Sequence, residues 1–132
     1  MARDGICRQN PCTVQVISGF LSPVSSAYKK ADLAPAEDRL RMCQLSTEDS
    51  DWIDVDDWEI RQKEYTPTAQ MLQIFKERLM ASLAGEGRAK DIRVMLLAGA
   101  DLIQTFDSPT IWDPLDVPSK YINIMIYLPY VG

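Results

Sequence analysis

The sequence predicts an open α/β domain built on parallel strands, and three observations point there. Short β-branched or apolar runs alternate with helical patterns along the chain. The run Val94 to Leu97 is apolar at every position, the mark of a strand covered on both faces of a parallel sheet. The stretch "YTPTAQMLQIFKERLMASLAGEG" carries apolar residues at three- and four-residue steps, the period of a helix.

Each element follows in order. Thr13 to Gly19 alternates apolar positions and is β-branched, so it reads as a strand stopped by glycine. A loop from Leu21 to Leu33 comes next. In "LAPAEDRLRMCQLS" Pro35 suits the first turn of a helix, with Leu40, Cys43 and Gln44 along its inner side. Trp52 to Val55 is a short second strand. In the long helix Thr66 is placed to cap, Pro67 takes the first position, Met71, Leu72, Phe75, Leu79 and Leu83 form the inner stripe, and Gly85 ends it. Gly85 to Asp91 is a polar loop. "IRVMLLAGADLIQTF" is then a strand that turns through Ala-Gly-Ala into a short helix near Asp101. In "YINIMIYLPYVG", Ile122, Ile124, Ile126 and Leu128 share one face, a strand pattern. Met1 to Pro11 has no clear period.

The chain has 132 residues, the size of one ordinary domain. With 46% hydrophobic and 25% charged residues it has the composition of a soluble globular protein. A net charge of −5 disfavours broad contact with nucleic acid or an anionic membrane, though a local basic spot can still hold one phosphate. Cys7, Cys12 and Cys43 are odd in number and fit no zinc spacing, so they read as reduced thiols of an intracellular protein. No apolar run spans a bilayer and no signal-peptide core opens the chain, which makes cytoplasm or nucleus the expected location. There is no histidine. That removes Ser-His-Asp and Cys-His catalysis and any imidazole acid or base from these residues.

In open α/β sheets ligands sit at the carboxyl ends of strands. Gly19 to Lys30 and Gly99 to Asp101 fall at such ends. Lys29 and Lys30 follow Tyr28 in the first loop, and from spacing alone they read first as solvated loop lysines, a phosphate contact being the rarer role. Gly99 permits close backbone approach, while Asp101 reads either as a ribose contact or as a helix cap, the cap being the commoner role. Trp58, Tyr65 and Trp112 read as core or core-edge aromatics before they read as stacking platforms.

Taken in series, "SGFLSPVSSAYKK", "AEDRLRMCQL", "DWIDVDDWEIRQKEYTPT" and "VMLLAGADLIQTFDSPTIW" resemble the eukaryotic nicotinamide mononucleotide adenylyltransferases, most closely in wording the fungal members. The likeness runs from Val14 to Trp112. It implies a Rossmann-like open parallel sheet of the nucleotidyltransferase type, with an incomplete α/β domain over residues 14–112 between divergent segments 1–13 and 113–132. The implied reaction is transfer of AMP from ATP to nicotinamide or nicotinate mononucleotide, giving NAD or its acid analogue and pyrophosphate, with Mg2+ carried on ATP and no protein-bound metal.

The same resemblance implies roles for particular residues. Tyr28, Lys30, Tyr65, Thr68, Ile111 and Trp112 would contact the mononucleotide, Lys30 near its phosphate and Trp112 stacked on the pyridine. Tyr65 stands where the family usually has tryptophan. Gly99 and Asp101 would contact ATP. A pyridinium ring over an aromatic face gains about 0.5–2 kcal/mol beyond area burial, and lysine suits a phosphate as a mobile point charge.

The sequence also departs from the family pattern. The family's G-S-F-N-P strand end and nearby histidine have no match in "MARDGICRQNPC", its "ISST-x-x-R" helix has none in "DPLDVPSKYINIMIYLPYVG", and Asp38 stands where histidine is common. No catalytic residue is therefore assigned. Loss of one preorganised donor already costs ~10²–10³ in rate, so the expectation is a weak catalyst. The alternative is a truncated, inactive binding or interaction module. The expected partners are ATP and the mononucleotide, with no nucleic acid and no membrane; self-association or docking on a full-length homologue is the protein contact to test for.

Overall fold

The computed structural model describes residues 15–85, 92–99, 102, 104–108, 110 and 123–126. They fall into two compact units that divide between Thr66 and Pro67.

In the first unit β1 (Gly19–Leu21) runs parallel to β2 (Ile53–Val55), with Gly19 opposite Ile53 and Leu21 opposite Val55. Between them in sequence lies α1 (Ala36–Thr47), the helix that a parallel connection needs. Ala36, Arg39, Leu40, Cys43 and Thr47 are the less exposed side of α1, spaced by three and four residues. Glu37 and Asp38 lie in its first turn, where the amide end of the helix favours negative charge. After β2 the chain tightens into a 3-10 turn over Glu59–Arg61, in which Glu59 and Ile60 are buried.

The second unit contains α2 (Thr68–Ser82), β3 (Met95–Ala98), a 3-10 turn over Gln104–Asp107 and β4 (Asn123–Ile126). β3 and β4 are parallel, Met95 opposite Asn123 and Ala98 opposite Ile126. Parallel pairing in both units makes the chain α/β, as the sequence predicts. Leu72 and Ala98 are the buried apolar residues of this unit among those described, and Ile60 is that of the first. Leu72→Ala removes the most buried side chain of α2, and is expected to cost about 2–5 kcal/mol in urea unfolding. A change within ±0.5 kcal/mol would mean that α2 docks on nothing.

Five expectations need correction. The first strand does not end at Gly19 but begins there, and residues 15–18 lie outside it. Its place is set by its partner: the Gly19 amide donates to the Trp52 carbonyl at 2.8 Å, one step before β2. An added Cβ on Gly19 would stand 3.1 Å from the Trp52 ring, so the glycine allows close approach and does not stop a strand. Thr66 is not the cap of α2. Pro67, at φ −56° and ψ 144°, takes that position, and its carbonyl accepts the first helical bond from the Met71 amide at 2.9 Å. Pro35 does the same for α1 through Arg39 at 3.0 Å, one position earlier than the first turn. Gln44 is exposed, and Thr47 takes its place on the inner side of α1. Leu97 is 53% exposed, so the apolar run there is not covered on both faces; Ala98 turns inward.

The tail strand is found where the alternation places it, at β4. Thr13, Val14, Cys7, Cys12 and the loop 86–91 lie outside the described residues. Cys43 is a free thiol. Among the described residues no helix is long and apolar enough to cross a membrane.

Candidate functional site

The first unit ties two distant sequence stretches together, and hydroxyl side chains do most of it. β1 ends in Leu21, whose carbonyl accepts from the Asp56 amide at 2.9 Å just past β2. The next residue, Ser22, donates from Oγ to Glu59 Oε2 at 2.8 Å. Ser25 is fully buried, donates to the Gln62 carbonyl at 2.7 Å and accepts from the Ala27 amide at 3.1 Å. Gln62 in turn donates from Nε2 to the Trp58 carbonyl at 2.8 Å. "SPVSSAYKK" and "WEIRQKEY" are therefore two sides of one structure. A buried serine held in this way satisfies backbone that a loop could otherwise not bury.

These bonds deliver the aromatic pair. The Tyr28 amide donates to the Ser25 carbonyl at 3.1 Å and the Lys30 amide to the Tyr28 carbonyl at 3.0 Å, so the loop turns tightly around Tyr28. Asp32, at φ 63°, reverses the chain in the left-handed region that aspartate tolerates better than most residues. Tyr65 follows three residues after Gln62. The Tyr28 and Tyr65 rings lie 5.4 Å apart between centroids, tilted by 32°, within the range of favourable ring contacts. Both are substantially exposed, 42% and 47%. Tyr65 is thus not a core aromatic: it lies past the 3-10 turn and a bend at Lys63 and Glu64, with Tyr28 against it. Trp58 is half-buried, as expected for a core-edge residue.

Beneath this surface lies charge. Asp56 and Glu59 are buried acids. Burial pushes the Glu59 carboxyl above its ordinary value and Asp56 adds to this, while the Ser22 hydrogen bond and the positive Arg39 pull it back in part. The folded state therefore holds the Glu59 proton more tightly than the unfolded chain. The penalty for ionising it is absent at acid pH, grows as pH rises from 4.5 through the raised value, and is complete above it. Glu59→Gln keeps an oxygen for Ser22 and removes the titration. Urea unfolding should show wild type losing stability relative to this variant between acid and neutral pH; a constant gap would contradict the burial of an ionisable carboxyl.

The sequence-predicted residues are placed as follows. Tyr28, Lys30 and Tyr65 belong to the first unit; Tyr28 and Tyr65 are in contact, and Lys30 is exposed two residues beyond Tyr28. In the second unit Thr68 is the first residue of α2 and is half-buried, and Gly99 is exposed at the carboxyl end of β3, its carbonyl accepting from the Leu102 amide at 3.2 Å. Asp101, Ile111 and Trp112 lie outside the described residues. Ser25, Arg39, Glu59 and Gln62 were given no role from sequence. Ser25, Glu59 and Gln62 lie inside the two quoted motifs and Arg39 lies in "AEDRLRMCQL", but the bonds that tie them across the unit span 15 to 37 residues of sequence, which no local pattern records. A groove of about 350 Å³ between α1 and β2, lined by Arg41, Gln44, Asp54 and Asp57 among others, contains none of the predicted residues. Among the described residues no three histidine, cysteine, aspartate or glutamate side chains gather closely enough to hold a metal ion.

A family model described as cytidylyltransferase-like matches residues 11–128. The chain belongs to the cytidylyltransferase-like family. Within it, the chain is similar to the nicotinamide/nicotinic acid mononucleotide adenylyltransferase of Schizosaccharomyces pombe, 40% identical over 122 residues that cover 89% of this chain and 33% of that protein. The second such enzyme of Saccharomyces cerevisiae is 40% identical over 122 residues, 89% of this chain and 30% of its own. That of Arabidopsis thaliana is 40% identical over 99 residues, 75% and 41% of the two chains. This member of the family thus spans about a third of the length of its fungal relatives, and the resemblance drawn from its motifs is borne out.

Proposed function

We propose that the chain is a nucleotidyltransferase of NAD biosynthesis whose first unit forms the mononucleotide end of the active site. ATP and nicotinamide or nicotinate mononucleotide are its substrates, and Mg2+ arrives on the ATP phosphates. The observation that carries this reading is the Tyr28–Tyr65 pair, exposed and held by the Ser25–Gln62 bond, with Lys30 in the same loop. Two phenol rings offer an electron-rich surface to a pyridinium, and Lys30 offers a point charge to the 5′-phosphate of the same ligand. Thr68, Ile111 and Trp112 complete the mononucleotide contacts in this reading, and Gly99 and Asp101 serve ATP.

Transfer balances simply. A mononucleotide phosphate oxygen attacks the α-phosphorus of ATP, the bond to the β-phosphate oxygen breaks, and pyrophosphate leaves. In this reading the chain's contribution is to hold the attacking phosphate and its ring in one orientation, the positioning that dominates phosphoryl-type transfer. Incubation with ATP, Mg2+ and nicotinamide mononucleotide should yield NAD and pyrophosphate in equal amounts. No NAD above a protein-free blank at high protein concentration removes turnover from the reading.

A second reading, binding without turnover, is favoured by the complete lack of histidine in these residues. It predicts saturable mononucleotide binding in calorimetry alongside a blank transfer assay.

A further inference from the structure

The loop that carries Tyr28 and Lys30 begins near Val24 and closes near Ala34. One side chain holds both ends. Arg39, in the first turns of α1, donates from Nη1 to the Val24 carbonyl at 2.6 Å and from Nε to the Ala34 carbonyl at 2.9 Å. Its third nitrogen, Nη2, is shielded from water and has no hydrogen-bond partner. A guanidinium with a buried, unspent donor is not placed there by its own solvation; it is held by the two carbonyls it bridges and by the nearby negative charge of Glu59.

We infer that Arg39 is a positioning residue for the mononucleotide: its planar fork fastens the two ends of the 24–34 loop, so that Tyr28 and Lys30 are presented in one arrangement before any ligand binds. The inference deepens the proposed function, because it takes that loop as the mononucleotide element. The rigid fork matters here. Lysine keeps the charge that faces Glu59, but as a single point donor it cannot bridge carbonyls ten residues apart in sequence in the same geometry. An unfastened loop has more conformations to lose on binding, and that loss appears as weaker affinity.

The test is Arg39→Lys in the full chain, read by amide hydrogen exchange and by kinetics. Exchange at Tyr28, Lys30 and Leu33, whose amides bond within the loop, should rise by on the order of tenfold. Exchange in Thr68–Ser82 should stay at the wild-type rate. In the transfer assay the loss should fall on KM for nicotinamide mononucleotide, again by on the order of tenfold, with kcat and KM for ATP unchanged. Unchanged exchange in the loop overturns the inference, as does an equal rise in both segments, which would make Arg39 merely a stabiliser of the fold. The exchange arm needs no ligand, so it decides whether Arg39 fastens the loop even if wild type neither binds nor turns over the mononucleotide, an outcome that sinks the proposed function and the ligand assigned to the loop but not the fastening itself. Should Arg39→Lys fail to fold, Ser25→Ala, which frees the same loop at the Gln62 carbonyl, must give the same local pattern; if its exchange matches wild type, the loop is not fastened as inferred.

Discussion

Lys30→Ala weakens binding of nicotinamide mononucleotide by about 10- to 100-fold, the range for losing one charge-assisted hydrogen bond to a phosphate. Lys30 is exposed in the free protein, so its contribution should also fall as salt is raised. Wild-type affinity should therefore drop between low and physiological ionic strength, and the variant's should hardly move. Lys29→Ala is the control: it removes an equal charge one residue away and should cost much less. Equal losses for the two lysines would mean that a diffuse basic patch attracts the ligand, and Lys30 would have no special place. Calorimetric titration at two salt concentrations distinguishes these results.

The second large effect lies in the strand pairing that supports the loop. Gly19→Val places branched methyls where even a bare Cβ would stand 3.1 Å from the Trp52 ring. The ring is half-buried and can give by some tenths of an ångström, but not by a methyl width without disturbing the β1–β2 ladder. Overpacking of this kind costs about 1–3 kcal/mol, or roughly 3–12 °C in Tm for a chain of this size. Gly19→Ala should cost less than Val. If the cause is the ring, Gly19→Val and Trp52→Ala must couple, so that the double variant is more stable than the sum of the single losses predicts. Strict additivity would locate the cost in glycine's backbone freedom instead.

These two sites mark what the sequence made legible and what it hid. The alternation of strand and helix, the parallel class, the α2 stripe around Leu72 and the strand in the tail were all readable from period and composition. The family resemblance implied that Tyr28 and Tyr65 face the same ligand, and the structure shows that the two rings meet. What failed were features fixed by a distant partner. β1 starts at Gly19 because Trp52 accepts its amide, which no local alternation records. Thr66 looked like a cap because of its residue type, yet the extended ψ of Pro67 makes the proline carbonyl the first acceptor. Tyr65 was read from the residues alone as core or core-edge, and it is exposed, past a Gln62 whose carbonyl is held by Ser25. Arg39 and Glu59 went unassigned because a charged residue in an amphipathic helix or an acidic run reads as a solvated face. Only the bonds to Val24, Ala34 and Ser22 reveal that these two charges support the loop.

The account rests on a pyridine mononucleotide settling on the 24–34 loop and the Tyr65 ring beside it. Titrating an isotopically labelled sample with nicotinamide mononucleotide, and following backbone amide shifts, tests this directly. The account predicts that Tyr28, Lys30 and Tyr65 move most, along one saturable curve with a common Kd that rises in Lys30→Ala. Shifts that never saturate, or that centre on the groove of Arg41 and Asp54 and leave Tyr28 and Tyr65 in place, would contradict it.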